Sequence, residues 1–82
     1  MKNNLYCVYN ELSARYGDVV AYPTDGFALA RLSDAFTQQR VNFKEVTVCR
    51  VGNIDVETGV VCSESPVRLP WQIATPIENK VD

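Results

Sequence analysis

"VGNIDVETGVV", residues 51–61, decides how this chain folds. Two readings compete for it. In the first, Asn53, Asp55 and Glu57 take positions one, three and five of a calcium loop, and Glu64 takes position twelve. Such a loop needs its sharp-turn glycine at position six. Thr58 stands there, and Gly59 comes one place late. The flanks disagree as well. A calcium loop of this kind joins two helices, whereas "EVTVCRV" (45–51) and "VVCS" (60–63) are rich in β-branched residues. In the second reading "VET" (56–58) links two strands, and Gly59 takes the left-handed conformation that closes a tight turn. The chemistry favours the hairpin, so 43–51 and 59–64 are expected as neighbouring strands.

Upstream lies "PTDGFALARLSDAFTQQR" (23–40). Thr24 is a good N-cap, and Asp25 suits the positive end of the helix dipole. Ala28, Leu29, Leu32, Ala35 and Phe36 recur at spacings of three and four and form one apolar stripe. Arg31, Asp34 and Gln38 fall on the opposite face. Arg40 is expected in the last turn, with Asn42 ending the helix. Before it, "LYCVY" (5–9) and "VVAY" (19–22) read as two strands of an antiparallel hairpin, joined by the polar "NELSARYGD" (10–18). The order is β-β-α-β-β. The sequence therefore predicts an α+β fold, an antiparallel sheet of about four strands with one amphipathic helix on one face.

The last stretch, "SPVRLPWQIATPIENKVD" (65–82), is different in kind. Pro66, Pro70 and Pro76 exclude a regular helix or a central strand. Val67, Leu69, Trp71, Ile73 and Ile77 are too apolar for a free tail. The expectation is a single α+β domain over 1–65 and an extended Pro-rich C-terminal arm over 66–82, docked on its own domain or on a neighbouring copy.

Composition narrows the chemistry. Eighty-two residues form one small domain with a thin core, which favours homo-oligomerisation. No apolar run approaches the length of a membrane span, and the N-terminus does not read as a secretory signal, so no membrane partner and a cytoplasmic setting are expected. There is no histidine, and the three cysteines, Cys7, Cys49 and Cys62, are widely spaced. One chain cannot supply four zinc ligands, and buried inert thiols are the expectation. Triads built on histidine are excluded, and no catalytic constellation stands out. No enzyme activity, metal or cofactor is expected. The net charge of −2 argues against broad attraction to nucleic acid but not against a local basic patch.

A binding role remains. A sheet with a helix on one side leaves its other side open. Aromatic and cationic side chains on such a face can stack on bases and meet phosphates. Lys44, Arg50 and Arg68 are the candidate phosphate contacts, and Tyr6, Tyr9 and Trp71 the candidate stacking residues. Lys44 and Arg50 are expected on one strand face. Equally, the aromatics can be core and the open face a self-association surface. "VTVC" (46–49) is apolar or nearly so on both sides, which fits a second layer from another subunit.

The order of features also resembles a known family. "LYCVYN" (5–10) precedes the helix-opening "DGFALARLSDAF" (25–36), and "VCRVGNIDVETGVV" (48–61) follows with its G-x-x-D-x-E-T-G turn. The pattern, over residues 5 to about 64, is similar to the small nonstructural protein of gokushoviruses, single-stranded DNA phages of the Microviridae. The resemblance implies a phage nonstructural accessory protein in the host bacterial cytoplasm. It implies single-stranded DNA binding while genomes are replicated or packaged. The alternative is an oligomeric protein–protein interaction module acting on phage or host replication proteins or on assembly, without DNA contact.

Overall fold

Asn10 and Asp55 set the architecture, because each starts a hairpin loop in the same way. The computed structural model describes residues 1–71. In it, the Asn10 side-chain oxygen accepts from the backbone N–H groups of Leu12 and Ser13, and that of Asp55 accepts from Glu57 and Thr58. The Ala14 N–H then closes on the Asn10 carbonyl at 2.8 Å, and the Gly59 N–H on the Asp55 carbonyl at 2.7 Å. Both closing residues are left-handed, Ala14 at φ 57° and Gly59 at φ 77°. The first loop joins β1 (Lys2–Asn10) to β2 (Arg15–Tyr22), and the second joins β3 (Val46–Asp55) to β4 (Val61–Leu69). The hairpin reading of residues 51–61 holds. The would-be twelfth ligand, Glu64, instead binds Arg50 at 3.1 Å.

Between the hairpins runs α1 (Asp25–Gln38). Thr24 caps it, its side chain accepting from the Phe27 N–H at 3.1 Å. Its end differs from the expectation. Arg40 is not in the last turn but beyond it, left-handed at φ 60°. Val41 N–H bonds the Phe36 carbonyl and Arg40 N–H bonds Thr37, which together make a Schellman close. Asn42 does not end the helix. It caps a short 3-10 turn, Phe43–Glu45, that leads into β3.

The strands form one antiparallel sheet in the order β2-β1-β3-β4. The sequence pattern set β1 too short, started β2 too late, and placed β3 three to four residues too early. Residues 15–18, expected in a connection, are strand, and residues 43–45, expected as strand, are the 3-10 turn. Three register shifts bend the sheet. The largest lies between β3 and β4. Arg50 pairs with Val67 and Gly52 with Ser63, so Val51 faces the bulged segment Glu64, Ser65 and Pro66. Pro66 is tolerated because β4 is an edge strand and irregular at that point. The strand therefore runs past the expected 65/66 boundary to Leu69. The rest of the expected arm, residues 72–82, lies outside the described residues.

The helix covers one face. Tyr6, Ala28, Leu29, Val48 and Leu69 form the buried cluster there, with Val20, Tyr22, Leu32 and Trp71 packed around it. The described residues supply no second layer for the other face, where Val19 stays 56% exposed and Tyr16 51%. Among the described residues, no helix is long and apolar enough to cross a membrane.

Candidate interaction surface

Strand pairing sorts the expected site residues, because directly opposed residues point to the same face. Val20, Tyr6, Arg50 and Val67 form one row across all four strands, under the helix. Val19, Cys7, Cys49 and Arg68 form the next row, on the uncovered face. The six candidates for DNA contact are thereby divided between two sides of the sheet and one end of it.

Tyr6 is fully buried, so neither ring face is open to a base. Its hydroxyl donates to Asp25 Oδ1 at 2.7 Å and accepts from Asn4 Nδ2 at 3.0 Å. Burial, and then the bond to Asp25, push the phenol up to about 12. Arg50 binds the other Asp25 oxygen, Oδ2, at 2.6 Å, and holds Glu64 through Nε at 3.1 Å. A phosphate at Arg50 would have to displace two carboxylates. This network ties β1, the start of α1, β3 and β4 together, and its work is structural. Trp71 also packs inward. Its ring meets Phe43 at 4.9 Å and Phe36 at 5.9 Å, and Nε1 donates to the Val46 carbonyl at 3.0 Å. Lys44 is exposed, but in the 3-10 turn, so it does not share a strand face with Arg50.

Tyr9 and Arg68 do meet, on the uncovered face. The Arg68 guanidinium lies 5.0 Å from the Tyr9 ring centre, and Tyr9 packs on Tyr16 at 4.8 Å. Arg68 Nη1 also binds Glu11 Oε2 at 2.9 Å, and Thr47 Oγ1 donates to the same oxygen at 2.6 Å. The Thr47 hydrogen bond, followed by that of Arg68, holds the Glu11 carboxyl below the usual range. The face is thus apolar and aromatic along Leu5, Cys7, Tyr9, Tyr16, Val19 and Cys49, with one cation and one anion neutralising each other at a corner. Tyr16, Val19, Glu11 and Thr47 were not singled out from sequence. A β2 strand extended back to residue 15 would have placed Tyr16 opposite Tyr9.

A second concavity lies on the helix side, between the end of α1 and the first hairpin. It measures about 410 Å³ against Val8, Phe36, Val41 and Val46, and among the described residues Arg15 is the one charged residue in its lining. Among the described residues, no group of three or more acidic or thiol side chains is placed to hold a metal ion. Comparison with family models, with curated proteins and with solved structures finds no match.

Proposed function

We propose that this chain is a binding module of a single-stranded DNA phage, and that its uncovered sheet face is the working surface. The phage setting rests on the resemblance to the gokushovirus nonstructural protein. The observation that carries the surface is that, among the described residues, one face of a four-stranded sheet has no covering layer and leaves Val19 and Tyr16 more than half exposed. The occupant we assign to it is a second copy of the chain. Charge supports this. Arg68 is neutralised by Glu11, so two such faces meet without like-charge repulsion, and the net charge of −2 offers polyanions little attraction. Area supports it too. At normal strand spacing the face measures on the order of 500 Å². A face-to-face pair then reaches roughly 1,000 Å², the lower bound for a specific interface. The dimer is therefore weak, and the same face is available to other protein partners.

A second reading has its own support. Tyr16, half exposed, packs on the partly buried Tyr9 beside a guanidinium, which is the equipment of a single-strand stacking site. Here the contacts would be Tyr9, Tyr16 and Arg68, with Lys44 at the sheet end, and not Tyr6, Arg50 or Trp71. Titrating a mixed-sequence single-stranded oligonucleotide at low and moderate salt separates the two. Saturable binding that weakens steeply with salt favours DNA. Absence of binding, with self-association that survives salt, favours the second copy.

A further inference from the structure

Cys7 and Cys49 stand directly opposite each other on β1 and β3, in the central row of the uncovered face. We propose that this pair is a modification site, in which a two-electron oxidant of the peroxide class joins the two thiols into a cross-strand disulfide. The inference does not depend on what covers the face.

Backbone geometry permits the bond without movement of either strand. Directly opposed residues in an antiparallel pair have Cα atoms about 4.5–5.5 Å apart. Disulfides span about 4.4–6.8 Å. Both side chains are nearly or fully buried between Val19 on one side and Arg68 on the other, which confines the sulfurs to the same small space. Their mutual influence shows in the Cys7 thiol. Burial raises it first, and the neighbouring Cys49 raises it further. Burial also raises Cys49, with the Arg68 guanidinium opposing the rise and the Glu11 carboxylate adding to it.

The reaction balances with the oxidant alone. The thiolate of one cysteine attacks a peroxide oxygen, giving a sulfenic acid, and the other oxygen leaves as hydroxide. The sulfur of its partner then attacks the sulfenic sulfur. The S–O bond breaks, the S–S bond forms, and the sulfenic oxygen departs with the partner thiol's proton as water. Cys62 has no such partner, since it is exposed on β4 opposite Asn53.

The test uses the full chain carrying Cys62→Ser, which removes the exposed competing thiol. Folded protein is treated with hydrogen peroxide, free thiols are counted, and peptides are mapped by mass without reduction. The expected result is loss of both thiols and one intrachain peptide pair linking residues 7 and 49, reversed by dithiothreitol. The proposal is overturned if both thiols survive a treatment that oxidises them in denaturant. It is equally overturned if they end as sulfinic acids or as bridges between chains.

Discussion

At Gly52 a β-carbon would meet the Cys62 carbonyl oxygen well inside contact distance, and it would approach Ser63 Cα at 3.0 Å. Both neighbours are backbone of β4, so neither can swing aside. Gly52→Ala should therefore cost about 1–3 kcal/mol, read from a denaturant midpoint. An unchanged midpoint would mean that the strands are not so close. The matched loops give a cleaner pair. Ala14 and Gly59 occupy equivalent left-handed positions, and only one of them is glycine. Ala14→Gly should stabilise by roughly 0.5–1 kcal/mol and Gly59→Ala should destabilise by a similar amount. Tyr6 makes a prediction in pH. Its folded value, about 12, lies above its ordinary value of 10.0, so the folded state holds the proton more tightly. Its contribution is complete below pH 10 and is lost as pH rises toward 12. Tyr6→Phe should leave a melting temperature that falls less steeply across that window, checked by alkaline thermal scans. It should also cost about 1–2 kcal/mol at neutral pH, because the Asp25 oxygen loses its donor.

At the scale of elements, what was legible in sequence follows from what each signal can report. α1 announced itself because cap, dipole and apolar stripe all agree over fourteen residues. The 51–61 hairpin was legible because Gly59 marks its left-handed position. The first hairpin was legible too, from two apolar runs with a polar link, but the place of its turn was not, because Ala14 fills the left-handed position without a glycine to show it, and Gly17 drew the turn too far along. The helix end was missed for a related reason, since Arg40 takes a conformation that Gly or Asn usually fills. Arg40→Gly should accordingly raise stability by about 1 kcal/mol, measured by denaturant unfolding; a loss would contradict the Schellman assignment. Pro66 was read as the end of the sheet, but an edge strand with a bulge accepts it. The site was harder to read than the fold. "LYCVY" shows no alternation, so nothing in it says that Tyr6 faces the helix and Tyr9 the open side. The ion pairs of Arg50 reach across 25 and 14 residues to Asp25 and Glu64, separations that no local pattern encodes.

The described residues form two layers, the sheet and one helix on one of its faces. The buried cluster is small, and the row Val19–Cys7–Cys49–Arg68 crosses the opposite face, where the described residues supply no second layer. Such a sheet is stable enough to fold yet leaves apolar surface that a second copy would remove from water. Val19 is the sharpest probe, being more than half exposed and on the sheet face opposite the buried cluster under the helix. Val19→Glu should change monomer stability by less than about 0.5 kcal/mol. Sedimentation equilibrium of the wild-type chain and of Val19→Glu, over a range of concentrations at low and high salt, is the decisive measurement for a second copy on this face. The wild-type chain should form a dimer with rising concentration that holds in high salt, and a folded Val19→Glu chain should stay monomeric. A wild-type chain that is monomeric at every concentration, or a Val19→Glu dimer as tight as wild type, would mean that this face does not seat a second copy.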